Sequence, residues 1–418
     1  MPQFGSYNSQ QQTSVENGGE VKVRAYVRLV AVGLAIAFSS TAAGQPLEGL
    51  VFTAHLIDGE SSGNASLKVF DLDGDGHKEV LGAVFTENAV VYWESSTGSP
   101  SSWTRHIIES GFGDAVSVDA ADLDADGDLD VVGAAWGRGE VAWWSNEGGV
   151  PIVWTRHSID ADELFPHEVY AADVDNDGDQ DVLVASTGRN RISLWYNDGG
   201  LPPRWTRQTV NYAPLYQAKS VTAGDIDGDG GVDLVGAALE GSVVRWWRNG
   251  GGHPINWEEL TIDPDFGGAH RVQAVDLDGD MDLDVVGAGY QDQVAWWRND
   301  GGSPIGWTKQ ILIENWFNPC IAHAADLDGD GDLDVAASSQ FNGEIMWWRN
   351  DGGNPINWIG QVLGRIRRVW PLVVADLDDD GDNDLIAGSS FTLDNEVTWF
   401  RNEGLMETVR FPIGRVRP

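Results

Sequence analysis

Beyond residue 50 the apolar positions come in short runs, and none keeps a helical period of 3.6 over ten residues. Between residues 111 and 158, four strand-sized runs follow one another: Val116 to Ala121, Val131 to Ala135, Val141 to Trp144 and Trp154 to His157. All are rich in β-branched or aromatic residues, and Gly, Asn and Pro turn signals such as Asn146-Glu147-Gly148-Gly149 separate them. The unit then repeats. An acidic nonapeptide follows the first run of each unit, beginning at Asp71, Asp122, Asp173, Asp225, Asp276, Asp326 and Asp376, at spacings of 51, 51, 52, 51, 50 and 50 residues. Four short antiparallel strands in a unit of this length predict one blade of a β-propeller, and seven units predict a seven-bladed ring over residues 45–418. A parallel β-helix needs much shorter repeats, and an immunoglobulin-type array about 100 residues per unit.

The third run of every unit carries an aromatic doublet: Tyr92-Trp93, Trp143-Trp144, Trp195-Tyr196, Trp246-Trp247, Trp296-Trp297, Trp347-Trp348 and Trp399-Phe400. Neighbours on a strand point to opposite faces, so a doublet is expected to fill the gaps to both adjacent blades. Val51 to Ile57 aligns with the fourth run although it precedes the first blade. It is therefore predicted to pair with the strand around Trp399 and close the ring, in competition with Met406 to Pro412.

Four carboxylates within nine residues repel one another unless a cation lies between them. The expected ligands are positions 1, 3, 5 and 9 of each loop: Asp71, Asp73, Asp75 and Glu79; Asp122, Asp124, Asp126 and Asp130; Asp173, Asp175, Asp177 and Asp181; Asp225, Asp227, Asp229 and Asp233; Asp276, Asp278, Asp280 and Asp284; Asp326, Asp328, Asp330 and Asp334; Asp376, Asp378, Asp380 and Asp384. Oxygen-only donors on a tight loop suit calcium better than magnesium, which demands stricter octahedral geometry, so up to seven Ca2+ are expected. An EF-hand is excluded, because no helices flank the loops and no Glu stands at position 12. Position 6 is Gly except at Met281, where the turn predicts strain.

Ser110-Gly111-Phe112-Gly113-Asp114-Ala115-Val116-Ser117, running through the Asp122 loop to Val131-Val132-Gly133-Ala134-Ala135, resembles the FG-GAP repeat of integrin α-subunit propellers and the related VCBS repeats of secreted bacterial proteins. Asp265-Phe266-Gly267-Gly268 through Gly287-Ala288-Gly289 is similar to it as well. The resemblance implies a seven-bladed propeller whose calcium loops join the first and second strands of each blade. Acidic loops in all seven units point to the bacterial-type relatives.

Charge and targeting narrow the setting. The formal net charge is -39, and 34 of the 65 acidic residues lie in the seven loops. The remaining 31 acids face 26 bases, so the excess is local and argues against nucleic-acid partners. Cys320 is the single cysteine, which rules out an intrachain disulfide. Lys22, Arg24 and Arg28, the apolar run Leu29 to Phe38 and the small residues Ser39 to Gly44 read as an export signal within a leader over residues 1–44. Ten apolar residues are too few for a membrane span, so the mature chain is expected to be secreted, extracellular or periplasmic, without a transmembrane anchor.

Six positions before each loop stand Ala65, Val116, His167, Lys219, His270, Cys320 and Trp370, one end of each first strand and the mouth of a central channel. His167, Lys219, His270 and Trp370, with Glu168, Arg271 and Trp316, are expected to line a shallow ligand pocket there. No nucleophile elbow, HExxH or phosphate-binding loop is present. The sequence thus favours a non-catalytic binding or adhesion module for an extracellular protein or carbohydrate, the alternative being a lyase or dehydratase acting on polysaccharide.

Overall fold

The repeating runs all become strands. A computed structural model describes residues 50–95, 102–390 and 395–405; the leader and Met406 to Pro412 lie outside the described residues. Among the described residues, twenty-eight strands, β1 to β28, form seven four-stranded antiparallel sheets. The first blade comprises β2 (Asn64–Phe70), β3 (Glu79–Val84), β4 (Ala89–Glu94) and β5 (Thr104–Ser110), in that order from inside out. The other innermost strands are β6 (Ala115–Ala121), β10 (Pro166–Ala172), β14 (Ala218–Gly224), β18 (Ala269–Val275), β22 (Pro319–Ala325) and β26 (Val369–Ala375). Each touches the next, and β26 touches β2, so the ring closes around a channel.

Closure uses the N-terminal strand. β1 (Leu50–Asp58) pairs antiparallel with β28 (Val397–Leu405), outside β27 (Asp384–Ser389) and β26, which gives the seventh blade its fourth strand. The register sets His55 opposite Trp399 and Ala54 opposite Phe400, as the alignment of Val51 to Ile57 requires.

The core lies between blades. Trp144 packs with Leu81, Val90 and Tyr92 of the first blade, and Trp143 with Val169, Val182 and Val184 of the third, so this doublet seals two seams. Gly133 on the second strand, diagonal to Trp144 and paired with Ala142, makes room for the ring: a Cβ there would stand 3.0 Å from Cζ3 of Trp144. In the third blade the pattern shifts by one residue. Trp195 pairs with Val182 as Trp144 pairs with Val131, but Tyr196 falls one place outward and Leu194 takes the second inter-blade position. The aligned asparagines Asn146 and Asn197 carried that signal in the sequence.

Candidate functional site

Every acidic loop joins the first and second strands of its blade, at one end of the ring. Its sharp turn is built by its own carboxylates. The position 1 aspartate accepts the N–H of position 6, for example from Gly127 to Asp122 Oδ2 at 3.1 Å, and the position 5 aspartate accepts that of position 7, from Asp128 to Asp126 Oδ1 at 3.0 Å. Met281 makes the same bond to Asp276 Oδ2 at 3.0 Å with φ of 76°, in the left-handed region that the glycines use freely. Position 4 is left-handed too, including Ala125, Asn176 and Asp379, a requirement that sequence reading missed.

In at least four loops the carboxylates of positions 1, 3 and 9 converge, with oxygens within 4.8 Å of one another: Asp71, Asp73 and Glu79; Asp122, Asp124 and Asp130; Asp173, Asp175 and Asp181; Asp276, Asp278 and Asp284. In the fourth loop Asp225, Asp227 and Asp229 meet instead. The position 9 acid is buried and anchored. Asp130 accepts the N–H of Leu123 at 2.9 Å on one oxygen and that of Asn146 at 2.9 Å on the other.

Several oxygens facing these clusters are buried with no hydrogen-bond partner among the described residues: Oδ1 of Asp71, Asp124, Asp175, Asp276, Asp278, Asp328 and Asp378. A buried carboxylate oxygen left bare is costly unless a cation meets it. Among described residues the loops therefore form acidic clusters that could hold metal ions, and their all-oxygen donor set fits a hard divalent cation.

At the opposite end, each innermost strand carries a register shift across its second residue. Those second residues are Ala65, Val116, His167, Lys219, His270, Cys320 and Trp370. A bulge re-aims the side chain it carries, and here it brings rings from alternate blades together. His167 and His270 meet edge to face with ring centroids 5.5 Å apart, and His270 lies 5.6 Å from Trp370. Tyr290, which sequence reading did not single out, stacks on His270 at 4.2 Å. His167 Nδ1–H donates to the Lys219 carbonyl at 2.9 Å, and His270 Nδ1–H to that of Cys320 at 2.8 Å.

The result is a packed plug. His270 is only 1% exposed, while Lys219 keeps partial exposure and takes no acceptor among the described residues. Arg271 pairs with Glu168, which also accepts the Val221 N–H at 3.0 Å and so caps an inner strand edge. Trp316 stands apart, against Trp348 and bonded to Glu344 at 3.0 Å. Two open clefts of about 470 and 550 Å³ lie at the other end, beside Asp175 and the turn carrying Gly252.

A family model described as FG-GAP-like repeat matches residues 71–133, 122–184, 173–236, 225–287, 276–337 and 326–387, each stretch running from one acidic loop through the next. The chain belongs to the FG-GAP-like repeat family. No curated protein matches it. Solved structures similar to this FG-GAP chain include BBS1N in complex with ARL6DN, soaked with mercury, at 15% identity and a TM-score of 0.55, covering 85% of this chain and 96% of that one. The same complex soaked with lead gives 14% identity, a TM-score of 0.53 and the same coverages. At such identity the likeness is one of fold.

The electrostatics of the FG-GAP loops agree with their geometry. Burial pushes Glu79 up to about 8, Asp130, Asp181, Asp284, Asp334 and Asp384 to about 7, and Asp233 to about 6. The backbone N–H bonds oppose this rise, and the neighbouring loop carboxylates add to it. Burial also raises the position 3 aspartates, Asp73 and Asp124 among them. Without a cation the closing and position 3 carboxylates therefore hold a proton more readily than free ones do. In the channel the order is reversed: burial holds His167 and His270 well below the ordinary imidazole value, with Lys219 adding to the effect, and burial pulls Lys219 down to about 8.

Proposed function

We propose that this FG-GAP propeller is a secreted, calcium-loaded module that binds an extracellular protein or glycan at the channel end bearing the bulged residues. The observation that carries the reading is the contrast between the two ends of the same seven strands. At one end the acidic loop repeats with little change. At the other a bulge lifts out a different residue in nearly every blade, including an ammonium with no acceptor among the described residues at Lys219. Shared structural duty accounts for the first end, and recognition of one asymmetric ligand for the second. The similar fold of BBS1N, found in complex with ARL6DN, supports a protein as ligand. Calcium is the hard cation that loop carboxylates of this spacing favour.

The test is a screen of matrix proteins and glycans against the full chain, with calcium and with chelator. Capture without product formation is expected, and Lys219→Glu should abolish it while leaving metal content and melting temperature unchanged. Undiminished binding by Lys219→Glu would remove the ligand face from the channel. Release of unsaturated sugar would overturn the module in favour of an enzyme.

A further inference from the structure

From the second blade to the seventh, the third strand carries an aligned asparagine, at its last residue in five blades and within β28 in the seventh: Asn146, Asn197, Asn249, Asn299, Asn350 and Asn402. All six make the same four hydrogen bonds. The backbone N–H of Asn146 donates to the closing carboxylate of its own loop, Asp130, at 2.9 Å. Its amide donates to the Leu129 carbonyl of that loop at 3.1 Å and to the Leu72 carbonyl of the preceding blade's loop at 2.8 Å. Its Oδ1 accepts the N–H of Gly148 at 3.0 Å. Both amide donors are thereby used, and the carbonyl oxygen accepts one bond.

The cross-blade bond recurs at every later seam: Asn197 to Leu123 at 2.8 Å, Asn249 to Val174 at 3.2 Å, Asn299 to Ile226 at 2.9 Å, Asn350 to Leu277 at 3.4 Å and Asn402 to Leu327 at 2.8 Å. The residue it grips is always position 2, which lies between ligand positions 1 and 3. Its N–H is held in turn by the closing carboxylate of its own loop, as Leu72 is by Glu79 at 2.8 Å. A single relay of carboxylate, asparagine and loop backbone thus runs from Asp384 round six seams to Glu79. At the seventh seam the aligned residue is Ser95, whose hydroxyl has one hydrogen to donate where the amide has two. There Lys78 of the first loop reaches the Asp376 carbonyl at 2.7 Å and pairs with Asp379.

We propose that each of these asparagines is a positioning residue for the divalent cation of two adjacent loops at once. Its side-chain amide holds the backbone next to the closing carboxylate of its own loop and the backbone between the first two ligands of the loop before, while its backbone N–H, which any residue would supply, bonds the closing carboxylate itself. The inference rests on the calcium reading above and adds to it a rule of pairs: one asparagine, two sites.

The experiment compares wild type, Asn146→Ala and Asn146→Asp as full chains stripped of metal. Calcium is titrated by calorimetry, and hydrogen exchange is followed over residues 71–79 and 122–130 with and without calcium. Asn146→Ala should weaken two sites by about tenfold, the scale of one or two lost hydrogen bonds. Loss of calcium-induced protection should be confined to those two segments. Asn146→Asp keeps the acceptor for Gly148 but no amide donor, so it should match the alanine variant. Weakening of residues 122–130 alone, equal weakening of every loop, or wild-type binding by Asn146→Asp would each overturn the proposal. A wild type that takes up no calcium would overturn the metal reading itself, a result visible before any variant is made.

Discussion

Met281 stands where six loops have glycine, with its side chain 89% exposed and its φ at 76°. Nothing around it repays a left-handed backbone, which costs a residue with Cβ about 1 kcal/mol. Met281→Gly should therefore raise stability by about that much in chemical denaturation, and a loss would show that the loop geometry has been misjudged. The closing carboxylates make a second prediction. Their folded values of about 6 to 8 exceed the ordinary 3.8 and 4.5, so the metal-free fold binds protons that the unfolded chain releases. That contribution is complete below the unfolded values and vanishes as pH rises through the folded ones. With chelator present, the melting temperature should climb as pH falls from 8 to 5. With excess calcium the trend should reverse, since protons then compete for the ligands. The same slope under both conditions would contradict a cation-binding role for these groups.

Among the elements, β1 is the one whose placement the repeat pattern fixes most sharply, because the fourth strand of the seventh blade has no other source among the described residues. Deleting residues 45–58 should uncover the edge of β28 and lower the melting temperature of the whole ring; an unaltered transition would pass the closing role to the segment after residue 405. Strands, blade number and loop positions were legible because each rests on a local period that survives seven repetitions. The shifted doublet of the third blade was not, since Trp195-Tyr196 looks like any other pair until Asn197 is aligned with Asn146. Tyr290 escaped for another reason: it reaches His270 from a hairpin tip, and no period marks it. The asparagines were visible as turn residues, but their second partner lies some 74 residues away in the chain, beyond any local pattern.

At the scale of the molecule, calcium is expected to bear much of the stability. A cation present at 100 times its dissociation constant adds about 2.7 kcal/mol per independent site, and chelation leaves 34 loop acids facing one another. EDTA should lower the melting temperature steeply, and an unmoved transition with no calcium by metal analysis would refute the metal centres. The ring's closure also sets a timetable. Thr53 of β1 bonds Glu403 of β28 across 350 residues of chain, so the first described strand to be synthesised waits for the last. At about 5 to 20 residues per second that interval is roughly 20 to 70 s. For all of it β1 is an unmatched ribbon, and a circular permutant that makes β1 and β28 consecutive should fold faster, its most distant pairing having become a hairpin.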